Sequence, residues 1–519
     1  MSAHPIVGGK VRPGSRRGAP RGARPRAALA GVLGATLFAA IVPAQELGDA
    51  WGTAGAEAEY YRLVDLPIPP ALALEVGSMC TLPDGRLALG TRRGEILLVT
   101  GAGAAVPKLT IERFASGLDE VLGLGHRDGA LYATQQTEVT RVTDRDGDGR
   151  ADRFENLSDA WGFGHYHEFA WGSPVTADGS IFVVLGLSDS YHYKAPFRGW
   201  AFEVTKDGRS APIASGIRSA GGVAPNEHGA MFYVESQGPW NGSCSLKHLK
   251  PGGFMGHPIS FPAYDHPLAA GMGGKPLEPN TPSRLATESA RIPQLVPYAV
   301  VFPYRRMGQS ITTFRPDRTG GRFGPFAGQL FLGDYSLSLV MRATTELVDG
   351  VWQGACYPFR EGLGNGILAV EFTAEGQLVA GGTNRGWPVR GNRSYTLERL
   401  EWTGRTPFEI ERIRIQPDGF VVDFTAPVDA ARAADPANYR LGSFTHVYQE
   451  HYGSPEVDRT TPRVLRAEPA ADGRRVRLVV AGMVPGHVHE FDLRGLRAAD
   501  GRALLHADAY YTVNVIPTK

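Results

Sequence analysis

Apolar and polar positions along this chain alternate with a period of two far more often than they recur every three or four residues, so strands are expected throughout and helices are scarce. The alternating runs follow a recurring turn in which Gly is preceded by an acidic or small residue, as in Thr81-Leu-Pro-Asp-Gly-Arg-Leu-Ala-Leu-Gly and Pro174-Val-Thr-Ala-Asp-Gly-Ser-Ile-Phe-Val-Val. A tight turn before an alternating run is how a hairpin between two inner strands of a blade is written. Six copies place their turn glycines at Gly85, Gly129, Gly179, Gly229, Gly328 and Gly376. Successive glycines lie about 45 to 50 residues apart, the period of a propeller blade. One gap, from Gly229 to Gly328, is about twice that; it reads as an insertion over Pro251 to Pro297, with a seventh, degenerate blade as the alternative.

The pattern therefore predicts an all-β fold: a six-bladed β-propeller over 61–403, followed by a small Ig-like β-sandwich over 404–519. The change comes after Trp402-Thr-Gly-Arg-Thr-Pro407, where runs such as Gly419-Phe-Val-Val-Asp-Phe and Val476-Arg-Leu-Val-Val begin. In a propeller the ligand site is expected where loops converge on the central channel, with long insertions walling that mouth.

The first 44 residues differ from the rest. Arg16, Arg17, Arg21, Arg24 and Arg26 precede an apolar run from Ala27 to Val42 that ends in Val42-Pro43-Ala44. This is the pattern of a signal peptide, too short for a membrane span, with a linker over 45–60. The mature chain is expected to be exported, periplasmic or at the cell surface, without a transmembrane span. Gly at 66 and Pro at 38, with 21% charged residues, indicate a turn-rich globular chain, and a net charge of +1 gives no support to nucleic-acid binding. Three cysteines, Cys80, Cys244 and Cys356, allow at most one disulfide, and no Cys-x-x-Cys-His is present for covalent haem.

Two local motifs carry chemistry. Asp144-Arg-Asp146-Gly-Asp148-Gly-Arg150-Ala-Asp152 alternates acidic side chains along a Gly-rich turn. Such a turn can wrap Ca²⁺ in oxygen ligands, with the Arg150 carbonyl taking part and Asp152 or Glu155 closing the shell. His165, His167 and Glu168, with Trp161, Tyr166 and Trp171 beside them, form an aromatic and titratable cluster before a blade strand. Aromatic faces suit the apolar faces of a pyranose, while His and Glu can take hydroxyl protons. Arg305, Arg306, Arg315, Arg385 and Arg390 are further cations in the loops of the last two blades.

The segment Ser215-Gly-Ile-Arg218-Ser-Ala-Gly-Gly-Val, followed by Glu235-Ser-Gln-Gly238-Pro239 and Leu249-Lys-Pro-Gly-Gly-Phe-Met-Gly-His-Pro258, resembles the soluble glucose/sorbosone (aldose sugar) dehydrogenases. The likeness extends more loosely from Tyr61 to Trp402, and the chain also looks like the secreted dehydrogenase-like propellers of planctomycete-type bacteria. The resemblance implies an oxidoreductase that uses pyrroloquinoline quinone (PQQ) and Ca²⁺ to oxidise an aldose or sugar derivative, with a cytochrome c as electron acceptor. It implies His167 as the base with His165 in reserve, Arg218 toward the cofactor, and Gly238 and Pro239 as carbonyl ligands of calcium; Arg385, among the loop cations, is a further cofactor-side candidate by its charge. The chain departs from the family at Ser219, where Asn is expected, and at Ser243-Cys244, where an acidic pair is expected. Those departures point to the alternative, a non-catalytic carbohydrate- or surface-protein-binding propeller that has lost the quinone site.

Overall fold

The computed structural model describes residues 50–187 and 191–518. The expected signal peptide over 1–44 lies outside the described residues. Among the described residues no helix is long and apolar enough to cross a membrane. Helix is confined to short pieces, and the strands pair antiparallel except for Ser210–Ser215 with Gly253–Phe254, which is parallel.

Each recurring turn sits between the first and second strands of one sheet. Gly85 joins Val76–Thr81 to Leu87–Thr91, and Gly376 joins Ile367–Phe372 to Leu378–Gly382. The six glycines have φ between 75° and 95°, the left-handed region where a Cβ is costly. The six sheets follow one another as 76–115, 123–158, 170–215, 220–302, 311–360 and 367–402. Their first strands pack one beside the next, the last against the first. The sixth sheet takes its outermost strand from the start of the chain: Tyr61–Asp65 pairs antiparallel with Leu397–Trp402, with Leu63 opposite Leu400. Sheets packed in this way around an axis form a β-propeller.

The long interval after Gly229 holds no sheet of its own. Over 251–297 the chain adds a two-residue strand, Gly253–Phe254, parallel to Ser210–Ser215 of the third sheet, then forms two 3₁₀ helices, Pro258–Asp265 and Pro267–Met272, and one α-helix, Leu285–Arg291, before Tyr298–Phe302 returns to complete the fourth sheet.

The strands beyond residue 404 form two facing sheets. One contains Ile410–Gln416, Gly419–Phe424, Arg475–Ala481 and Arg463–Pro469. The other is continuous with the fifth propeller sheet, because Val351–Arg360 pairs with Asp508–Val513, placing Cys356 opposite Tyr510. Phe420, Leu478, Phe491 and Tyr511 pack between the two sheets in one cluster with Ala355 and Tyr357 of the propeller. All three cysteines are free.

Candidate functional site

Antiparallel order dictates which loops meet. The connections from second to third strand, and from each outermost strand to the next first strand, all emerge at one end of the propeller, here called the mouth. Loops 92–95, 116–122, 159–169, 216–219, 236–243, 303–310 and 383–396 lie there. Two adjacent N–H groups tie the third of these to the fourth: Gly186 donates to the Phe169 carbonyl (2.9 Å) and Leu187 to that of Arg218 (2.8 Å). His167 and Arg218 are thereby brought to the same end.

His167 is half-buried, with its ring centroid 3.9 Å from Tyr166 and 5.1 Å from Trp387, on the loop of the sixth sheet. Burial, with the charges of His165 and Arg92 added, holds its pKa below the usual imidazole value, so it is neutral at pH 7 and able to accept a proton. His165 is turned to its own loop, Nδ1 accepting the His167 N–H at 3.3 Å. Glu168 does not reach the mouth: it is 1% exposed, accepts the N–H groups of Gly164 (2.5 Å) and His165 (3.2 Å), and lies 3.6 Å from buried Arg198. Its carboxylate shapes the loop that carries the histidines. Trp161 likewise serves packing, donating Nε1–H to the Gln136 carbonyl at 2.9 Å.

Beside His167 stand Arg92, Glu120 and Glu75, which sequence reasoning missed, together with Arg385, which it named. Arg92 donates to Glu120 at 2.9 Å, and Arg385 donates to the same oxygen at 2.9 Å while lying 3.5 Å from Glu75. Burial raises the pKa of Glu120 against the pull of Arg92 and Arg385. Arg92 and Glu120 stand on loops of the first and second sheets with no motif around them, so only the ring closure brings them to Arg385. Below them, Trp171, Tyr335, Leu368 and Leu122, from four different sheets, meet in one buried cluster that floors the mouth.

Arg218 donates Nη1–H to the Gln237 carbonyl at 2.8 Å and lies 5.0 Å below the ring of Tyr452, a residue of the C-terminal sandwich. A Cβ at Gly238 would sit 2.6 Å from that guanidinium, so a larger residue there would displace the arginine from this position. The Gly238 carbonyl accepts the Gly453 N–H at 3.1 Å, again from the sandwich. Pro239 follows in the same loop at the mouth. Of the other arginines, Arg306 pairs with Glu456 and Glu490 and joins propeller to sandwich. Arg315 lies at the opposite end, bonded to Glu371 at 2.8 Å in a separate cavity of about 940 Å³.

The acidic turn lies away from the mouth, between the last two strands of the second sheet. Carboxylate oxygens of Asp144, Asp146 and Asp148 lie within 4.8 Å of one another. Asp152 is turned to Arg145, accepting its N–H at 3.1 Å, and the Arg150 N–H bonds to Asp148 at 2.8 Å. Glu155 pairs with Arg153 and Arg141.

No family model and no curated protein matches this chain. Solved structures similar to it include a putative oxidoreductase (glucose dehydrogenase) from Thermus thermophilus, at 18% identity and TM-score 0.45, covering 66% of this chain and 99% of that one. The PQQ-bound aldose sugar dehydrogenase of Streptomyces coelicolor matches at 14% identity and TM-score 0.40, covering 66% and 98%. The PQQ domain of pyranose dehydrogenase from Coprinopsis cinerea matches at 10% identity and TM-score 0.44, covering 66% and 95%. None of them assigns a role to a residue of this chain.

Proposed function

We propose that the protein is a six-bladed, sugar-dehydrogenase-like propeller, exported and carrying an Ig-like sandwich, whose mouth binds a sugar or sugar derivative. The single observation that carries this reading is the pairing of neutral His167 with Trp387 at 5.1 Å: a proton acceptor beside an exposed aromatic face. A pyranose laid on the indole presents its hydroxyls to the imidazole, which takes the hydroxyl proton as general base. Arg218, at the opposite flank of the mouth from Trp387, offers N–H donors to the ligand's oxygens.

PQQ is the cofactor that the resemblance implies, and the residues beside His167 do not fit it. The quinone carries three carboxylates. Arg92 and Arg385 already share Glu120, with Glu75 adjacent, so a tricarboxylate placed there meets two carboxylates whose cations are spent. The Gly238 carbonyl, expected to ligate calcium, accepts from Gly453. Sugar binding without a bound quinone is the reading these contacts favour. Ca²⁺ is proposed instead at Asp144, Asp146 and Asp148, as a pin for the loop of the second sheet.

The test is titration of the protein with PQQ and Ca²⁺, followed by dye reduction across a panel of aldoses and by sugar binding without cofactor. Sugar binding weakened at least about tenfold in His167→Ala supports the mouth as the site. Saturable PQQ binding with sugar-dependent dye reduction overturns the charge argument and establishes a dehydrogenase, with electrons passed to a separate acceptor such as a cytochrome c. Absence of sugar binding under every condition sinks the reading.

A further inference from the structure

Exposed aromatic rings are not scattered over this molecule. Among the described residues, the strongly exposed ones are Phe163, Tyr166, Tyr191, Trp387 and Tyr452, together with Phe154. The first four stand on loops that emerge at the mouth, and Tyr452 is carried there by the sandwich. Phe154 alone lies elsewhere, on the outermost strand of the second sheet.

The loop 447–455 that carries Tyr452 is pinned to the propeller and not draped over it. The Trp240 N–H donates to the Gln449 carbonyl (2.7 Å), Gly453 to Gly238 (3.1 Å) and Ser454 to Gly242 (3.1 Å), and the buried Tyr448 hydroxyl donates to the Gly256 carbonyl (2.5 Å). Gly453 has φ 66°, in the left-handed region that a side chain rarely adopts, and a Cβ there would sit 2.7 Å from the Gln237 side chain. This anchoring holds the Tyr452 ring over Arg218 with 60% of the residue exposed. On the other side of the same loop, Glu450 lines a cleft of about 620 Å³ with Trp240, Tyr191, Asp265 and Glu278.

We infer that the ligand is a glycan chain rather than a single sugar, and that Tyr452 is a binding residue for a unit remote from His167. The inference rests on the reading above in placing a sugar at this mouth. One pyranose can cover one ring, whereas Trp387 beside His167 and Tyr452 above Arg218 stand on different loops at opposite flanks. Each ring is backed by a polar or cationic group: Trp387 by the imidazole, Tyr452 by the guanidinium. Separate apolar faces alternating with hydrogen-bonding groups match successive sugar units, whereas a lipid partner is met by contiguous apolar surface. The sandwich is then part of the binding site.

Affinity electrophoresis tests this without cofactor or turnover. The full-length protein is run in native gels containing hydroxyethyl cellulose, xylan, starch or alginate, beside Tyr452→Ala, Tyr452→Phe, Trp387→Ala and, as a control ring, Phe154→Ala. The expected result is retardation in at least one gel, weakened at least threefold in Tyr452→Ala and in Trp387→Ala. Tyr452→Phe and Phe154→Ala keep it. Native migration in all four gels, or retardation that survives Tyr452→Ala, overturns the inference. Binding of a simple sugar that His167→Ala weakens, beside native migration in all four gels, overturns this inference and leaves the proposed function standing, so the two readings fail separately.

Discussion

The ammonium of Lys247 lies 2.6 Å from Oε2 of Glu235, and both side chains are 1% exposed. The other oxygen of that carboxylate accepts the N–H groups of Arg218 (2.6 Å) and Ser219 (3.3 Å), so a charge pair inside the fourth sheet holds the backbone that presents Arg218 to the mouth. Removing one member of a buried pair strands the other charge. Lys247→Met should therefore cost about 3–5 kcal/mol in urea unfolding. The double variant Lys247→Met/Glu235→Gln should recover most of that stability while loosening Arg218, seen as weaker sugar binding. A Lys247→Met protein as stable as the parent contradicts this account.

A second buried cluster ties the start of the described chain to the sandwich. His506 Nδ1 lies 2.6 Å from Glu409 and Nε2 2.9 Å from Glu57, on the short helix Ala54–Glu57. Burial opposes the charge on His506, but Glu409 and Glu57 outweigh it and raise its pKa to about 9. A raised folded pKa contributes stability that is full below the ordinary imidazole value near 6.5 and is lost as pH climbs through about 9. The melting temperature of the parent should fall over that window. His506→Gln should melt lower at pH 6 and show a flatter profile between 6.5 and 9. Parallel profiles for the two proteins count against the bridge.

The sandwich should be inseparable from the propeller. Phe444, Val488 and Tyr510 pack in one cluster with Val301, Met341 and Cys356, and each large side chain re-exposed forfeits about 1.5–3 kcal/mol. A chain ended at residue 403 also leaves Val351–Arg360 as an open edge. It should aggregate on expression or melt well below the parent, and a soluble monomer of parental stability would show the two parts to be independent.

Calcium at the acidic turn predicts a ligand-dependent melting shift. Millimolar Ca²⁺ should raise the melting temperature by a few degrees over a chelator control, because binding to the folded form alone adds stability by mass action. Asp146→Asn should abolish the shift without changing retardation in polysaccharide gels, since the turn is remote from the mouth. An unchanged shift in Asp146→Asn would place the ion elsewhere.

Much of the architecture is legible in the chain because its determinants are local. The turn at Gly85 and its five counterparts needs a left-handed residue between two pleated runs, and that requirement is met within a few residues wherever the turn stands. The insertion after Gly229 is visible for the same reason: the spacing stretches while the strand pattern stops.

The site is decided by closure of the ring. Glu168, adjacent in sequence to His167, turns inward because Arg198 and two backbone N–H groups claim it. Arg315 and Arg305 look alike in the chain, yet the first sits on a first strand near its turn and so opens to the other end of the channel. Arg92 and Arg385 donate to one oxygen of Glu120 across three sheets, and Tyr452 reaches Arg218 from the sandwich. Periodicity and turn chemistry act over a few residues and so determined strands, blades and insertion. Which side chains face one another across the mouth depends on contacts between distant segments, which only the tertiary structure supplies.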